Sequence, residues 1–140
     1  VVEQLRIASG EKLRLRQKDI QFRGSAIECR INAEDPTNGY APSPGLIEAF
    51  APPGGMGVRV DTHVYAGYNV PPTYDSLICK LIVHRPTRGE AIACMRRALG
   101  EFTIKGIKTT IPLLVELFAS KRYIKGNIDT SFIDGLVPRG

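Results

Sequence analysis

At 140 residues the chain is long enough for one domain and too short for two ordinary ones, and a domain of that size buries a core without staples. With 43% hydrophobic and 24% charged residues it is ordinary globular material, and apolar stretches such as 111–115 are far too short to cross a bilayer. A net charge of +5 raises nucleic acid as a partner. However, the basic run at 12–18, Lys-Leu-Arg-Leu-Arg-Gln-Lys, carries no interleaved aromatic residues to stack on bases, so a solvated face or one that meets acidic partners is the better reading.

Residues 1–9 read as the end of a helix, with Val1, Leu5 and Ala8 on one face and Gly10 as its stop. The short charged stretches at 13–15 and 20–22 are ambiguous. Residues 25–33 alternate as a strand does: Ile27, Cys29 and Ile31 point one way, Glu28, Arg30 and Asn32 the other. Asp35-Pro36-Thr37-Asn38-Gly39 then breaks the chain in a turn. Residues 46–51 and 57–60 read as two strands joined hairpin-fashion around Pro52-Pro53-Gly54-Gly55. Val70-Pro71-Pro72 marks an extended entry into 75–84. There the run 77–83 is apolar except for Lys80, as a central strand buried on both faces would be.

Residues 88–102 carry the strongest helical signal. Thr87 and Glu90 are spaced as a capping box, and Ile92, Met95, Leu99 and Phe102 supply the apolar stripe. A second helix is expected at 112–120, with Pro112 suited to its first turn, and then a tail with one more helical turn. Helix, several strands, then helices predicts an α+β fold, an antiparallel sheet flanked by helices that pack on one side. The last five residues, Leu136, Val137, Pro138, Arg139 and Gly140, read as a thrombin-type site left by an expression tag. The chain also opens on Val1 inside a helical pattern. The expected division is a domain at 1–135, cut from a longer protein, and a tag remnant at 136–140.

Most chemical templates fail. Cys29, Cys79 and Cys94 are odd in number and widely spaced. A disulfide framework or zinc site is therefore not expected; three buried small hydrophobes in a reducing cytoplasm are. His63 and His84 stand alone, no metal cluster is visible, and Gly54-Gly55-Met56-Gly57 lacks the strand–helix setting of a phosphate loop, so it reads as a tight turn. What remains is the polar strand face. A guanidinium fixed on a strand offers a rigid donor fork to an oxyanion, although an ordinary solvated sheet with a Glu–Arg pair fits the pattern as well.

Gly24-Ser25-Ala26-Ile27-Glu28-Cys29-Arg30-Ile31-Asn32-Ala33-Glu34-Asp35-Pro36 resembles the GHAxECRINAEDP signature of biotin carboxylases. The likeness continues in family order through Pro42-Ser43-Pro44-Gly45, Pro53-Gly54-Gly55-Met56-Gly57-Val58-Arg59 and Tyr65-Ala66-Gly67-Tyr68. It goes on through Pro71-Pro72-Thr73-Tyr74-Asp75-Ser76-Leu77, Lys80-Leu81 and Gly106-Ile107-Lys108-Thr109. Ser43-Pro44-Gly45 is more similar to the acetyl-CoA carboxylase branch than to pyruvate carboxylases, which usually carry an acidic DTG there.

The resemblance implies an ATP-dependent ligase. ATP activates bicarbonate to carboxyphosphate, and the carboxyl group passes to a ureido nitrogen of biotin on a carrier protein, the first half-reaction of acetyl-CoA carboxylase in fatty acid synthesis. It implies Arg30 as the catalytic donor to the ureido oxygen, Glu28 and Asp75 in support, and Met56 and Arg59 at a subunit dimer interface. The complete enzyme would use ATP, magnesium or manganese, bicarbonate and carrier-bound biotin. Its partners would be the biotin carboxyl carrier protein, a second copy and a carboxyltransferase, with no nucleic acid and no membrane. The resemblance puts the glycine-rich lid, the ATP lysines and the metal-binding glutamates upstream of Val1. This chain alone is thus expected to be inactive, to bind no cofactor and to hold no metal. The competing readings are the same domain of a propionyl-CoA or other biotin-dependent carboxylase, and a non-catalytic basic binding module.

Overall fold

The computed structural model describes residues 1–135; the residues read as a tag remnant, 136–140, lie outside the described residues. The chain opens with a short helix, α1 (Val2–Ala8), and a 3₁₀ turn at Gln17–Asp19. Strands follow at Ser25–Asn32 (β1), Glu34–Asp35 (β2), Ala41–Pro42 (β3), Gly45–Leu46 (β4), Ala49–Ala51 (β5), Val58–Thr62 (β6), Asn69–Val70 (β7) and Leu77–Arg85 (β8). The chain then forms α2 (Arg88–Glu101), β9 (Thr103–Lys105), α3 (Ile111–Ala119) and α4 (Lys121–Lys125). None of these helices is long and apolar enough to cross a membrane.

The alternating pattern of residues 25–33 does what a period of two requires. β1 pairs antiparallel with β8, and β8 with β6, in the order β1-β8-β6. Residues directly opposite share a face. Ile27, Cys29 and Ile31 line up with Val83, Leu81 and Cys79, and these with Val58, Val60 and Thr62. Apart from Thr62, this row is the floor of the core. Over it lies α2, whose stripe of Ile92, Met95 and Leu99 is buried. α3 follows, with Leu117 and Phe118 buried. The capping box expected at the start of α2 is present: Thr87 Oγ1 accepts from Glu90 N–H at 3.2 Å, and Thr87 N–H donates back to Glu90 Oε2 at 3.0 Å. Pro112 sits in the first turn of α3. The α+β fold with antiparallel strands and helices packed on the sheet is therefore as the sequence reads.

Four details differ from expectation. The strand expected at 46–51 is two, β4 and β5, which pair with β7 and β9 respectively. The strands on either side of Pro52-Pro53-Gly54-Gly55 do not pair with each other. β5 pairs with β9, where Phe50 and Phe102 meet edge to face at 5.7 Å, and β6 pairs with β8. The turn-like residues carry the chain between two sheets, and the apolar partner of each strand decides its pairing. β8 is central but not buried on both faces. Cys79, Leu81 and Val83 are covered, while Lys80 and Ile82 on the opposite face are half exposed. Finally, Cys29 and Cys79 are buried but Cys94 is half-buried.

Candidate functional site

The alternation that sends Cys29 and Ile31 into the core turns Glu28 and Arg30 to the open face of the sheet. Two other strands complete that face. Lys80 stands directly opposite Arg30 and Asp61 opposite Lys80, and in the next row Glu28, Ile82 and Arg59 are aligned. Arg30 and Lys80 are like charges in direct opposition, which repel, and carboxylates from both sides offset them. Glu28 Oε1 lies 3.8 Å from Lys80 Nζ. Asp61 accepts both arms of the Arg59 fork, from Nε and Nη2 at 2.8 Å each, and these bonds hold its carboxyl below the usual carboxylate range.

Arg30 is left comparatively free. Among the described residues its ion pair is with Asp75, Nη2 to Oδ2 at 3.7 Å, and the two side chains are 52% and 71% exposed. A contact so wet and so long contributes little to stability. The other oxygen of Asp75 accepts the backbone N–H of Leu77 at 3.0 Å. One carboxylate thus caps the entry to β8 and stands beside Arg30. Glu28, which the resemblance implies in support of Arg30, is paired with Lys80, across the ladder. Chemically, Arg30 is a planar donor fork, anchored by a strand whose other face is in the core, pointing from an open surface and committed to no hydrogen bond among the described residues.

The polar row ends one residue after Arg30. Between Ile31 and Asn32 the register shifts, so Asn32 is opposite Leu77 and leaves the Glu28–Arg30 row. Asn32 Nδ2 donates to Glu34 Oε1 at 3.0 Å, the Ser76 hydroxyl bonds the same carboxylate oxygen, and Asn32 Oδ1 is buried with no partner among the described residues. Thr110, at the start of α3, also reaches this end of β1. Sequence reasoning singled out Lys80 by its charge in an apolar run. It had no signal for Thr110, which lies 78 residues from Asn32.

Met56 is 86% exposed at the tip of the 52–57 loop. Arg97 Nη2 holds the carbonyl of Gly54 at 3.1 Å, and Arg85 Nη1 that of Met56 at 3.3 Å. Beside it lies an open cleft of about 550 Å³ lined by Gly55, Met56, Arg85, Cys94 and Arg97. Arg59 is three residues on from Met56, in β6, with its fork on Asp61. Burial pushes the thiols of Cys29 and Cys79 up to about 12, so neither is a nucleophile at neutral pH. Among the described residues no three His, Cys, Asp or Glu side chains come together to hold a metal ion.

A family model described as the biotin carboxylase C-terminal domain matches residues 28–135. Biotin carboxylase 1 of Bacillus subtilis is 52% identical over 134 residues, covering 96% of this chain and 30% of that protein. A pyruvate carboxylase subunit of Methanothermobacter thermautotrophicus is 54% identical over 134 residues, covering 96% of this chain and 27% of the relative. A crystal structure of the biotin carboxylase domain dimer of Hydrogenobacter thermophilus 2-oxoglutarate carboxylase, in complex with MgADP, ADP and bicarbonate, superposes with a TM-score of 0.91 at 50% identity. It covers 94% of this chain and 29% of that one. The chain thus spans under a third of the length of these relatives.

Proposed function

From the premise that the chain belongs to the biotin carboxylase C-terminal domain family, we propose that it forms the biotin-facing wall of an ATP-dependent biotin carboxylase. In that reaction ATP activates bicarbonate to carboxyphosphate, and the carboxyl group passes to a ureido nitrogen of biotin borne on a carrier protein. Removing the proton from that nitrogen places negative charge on the ureido oxygen. A preorganised cationic donor at that oxygen stabilises the charge where it develops. The observation that carries the assignment is Arg30 itself: a guanidinium on β1, anchored by Cys29 and Ile31 in the core, whose ion pair among the described residues is the long contact to Asp75. Asp75 and the Glu28–Lys80 pair set the potential around it. The residues that handle ATP, metal and bicarbonate belong, in this reading, to the rest of the subunit. On this reading the chain by itself turns nothing over.

The test is Arg30→Gln in the complete subunit, reading biotin-dependent ATP turnover and thermal unfolding on the same protein. Turnover falls by roughly 10²-fold or more, the scale of losing one charge-stabilising donor. Stability stays within about 0.5 kcal/mol, as for an exposed polar position. Lysine does not restore full activity, since an ammonium lacks the planar fork. Wild-type turnover in Arg30→Gln would defeat the assignment.

The proposed setting is a cytoplasmic acetyl-CoA carboxylase supplying fatty acid synthesis, supported by Ser43-Pro44-Gly45. Its partners are the biotin carboxyl carrier protein, a carboxyltransferase and a second copy of the subunit meeting the surface around Met56 and Arg59. A second reading, another biotin-dependent carboxylase, is favoured by the 54% identity to the pyruvate carboxylase relative. The final acceptor is chosen by the carboxyltransferase. Assaying the purified holoenzyme with acetyl-CoA, propionyl-CoA and pyruvate separates the two.

A further inference from the structure

We infer that Thr110 is a positioning residue for Arg30, an inference that rests on the catalytic reading of Arg30 above. Thr110 is the residue before α3, the place where a threonine ordinarily turns its hydroxyl onto the first backbone N–H groups of the helix. Here it does not. Its backbone is itself helical (φ −74°, ψ 0°) and its side chain makes no capping bond. Pro112, in the same turn, has no N–H to offer. The hydroxyl is spent on β1 instead. Thr110 Oγ1 accepts from the backbone N–H of Asn32 at 3.0 Å and donates to the carbonyl of Arg30 at 3.4 Å. Thr110 N–H donates to the carbonyl of Asn32 at 3.1 Å.

The place of these bonds gives them their meaning. β1 is the edge strand of the order β1-β8-β6, so its outer side has no neighbouring strand to fix it. The register with β8 slips between Ile31 and Asn32, immediately after Arg30. At that weak point Thr110, only 7% exposed, supplies the missing neighbour: one acceptor for Asn32 N–H, one donor for Asn32 C=O and one for Arg30 C=O. Those groups set the local twist of the strand, and the twist sets where the Arg30 guanidinium points. A hydroxyl just before α3 therefore holds the direction of Arg30 without touching substrate.

The experiment uses the complete subunit with free biotin as the varied substrate. Thr110→Val keeps the shape and removes the hydroxyl; Thr110→Ser keeps the hydroxyl. The valine variant should lose roughly 10-fold or more in kcat for biotin-dependent turnover, since a misplacement of about 1 Å costs up to 10²-fold. Its KM for ATP should be unchanged, and the serine variant should retain wild-type turnover. In an Arg30→Gln background Thr110→Val should add no further loss, because aiming an absent guanidinium has no value. Wild-type kcat in the valine variant overturns the inference. So does an equal loss in the serine variant, or a loss that persists undiminished beside Arg30→Gln. If the valine variant does not fold, the comparison of Thr110→Ser with Thr110→Ala decides the matter in the same way. Failure of the underlying reading looks different: Arg30→Gln would then be fully active whatever Thr110 does.

Discussion

One substitution, glycine to alanine, should change stability in opposite directions at two positions only six residues apart, Gly100 and Gly106. Gly100 lies inside α2 with nothing within 4 Å of where its Cβ would stand. Alanine there removes unfolded-state freedom and adds helix propensity, a gain of about 0.4–1 kcal/mol. Gly106 has φ +98°, and its Cβ would press against the backbone oxygen of Leu46 and stand 2.9 Å from Glu48 N. The strand backbone here is pinned, because Glu48 N–H donates to Lys105 C=O at 2.9 Å and β5 pairs with β9. The positive φ alone costs an alanine roughly 1–2 kcal/mol, and forcing atoms into a packed site typically costs about 1–3 kcal/mol more. Gly106→Ala should therefore lose about 2–5 kcal/mol. For a domain of this size the midpoint moves about 3–5 °C per kcal/mol. Thermal and urea unfolding of the two variants beside wild type check both signs. A Gly106→Ala protein as stable as wild type would refute the reasoning, as would a Gly100→Ala protein less stable than it.

The buried thiols give a second test. Burial first, and nearby carboxylates second, hold Cys29 and Cys79 protonated to about 12 against an ordinary 9.0. Native protein in a thiol reagent at pH 8 should titrate Cys94 first and the other two only on unfolding; equal rates at all three would contradict the burial. The native state also keeps protons that the unfolded chain releases, so these groups' contribution is intact below pH 9 and is lost as pH rises from there toward 12. A denaturant midpoint rising across that range would reverse the sign. Arg59→Glu sets two carboxylates side by side where a fork now joins Arg59 and Asp61, and the complete subunit should sediment as a weaker dimer. Dimerisation unchanged at nanomolar concentration would remove this face from the interface.

Local physics made some of these elements legible. The alternation at 25–33, the Thr87–Glu90 capping box and the stripe at Ile92, Met95 and Leu99 depend on neighbours two to four residues away, and each is present in the fold. What could not be read depends on distant partners. β9 is three residues long and exists because β5 lies beside it. The apparent hairpin at Pro52-Pro53-Gly54-Gly55 had turn chemistry and flanking strands, but register is decided by which face must be buried, and β6 finds its apolar match on β8. At the site, Arg30 was legible from its strand. The partners, Lys80 for Glu28 and Asp75 for Arg30, were not, because each lies some 45 to 52 residues away along the chain, on β8 or at its entry. Thr110 had no local signature at all. It sits at a helix start, where a threonine suggests a cap, and its hydroxyl goes elsewhere.

A different physical account of Arg30 makes its own forecast. β1 is an edge strand, and charged side chains on edge strands discourage pairing with other chains. Glu28 and Arg30 would serve that purpose on any solvated sheet. On that account the charge matters and the shape does not, so Arg30→Lys would preserve everything and Arg30→Gln would raise aggregation while leaving turnover intact. The donor account requires the reverse: lysine keeps the charge and the solubility but loses much of the turnover, because a point charge cannot supply two parallel N–H donors to one oxyanion. The two accounts also differ in what use they have for a braced backbone. Edge protection needs no particular side-chain direction, yet the backbone at Arg30 and Asn32 is braced by three hydrogen bonds from Thr110 at the point where the ladder slips. A residue that only repels neighbours has no use for a fixed aim.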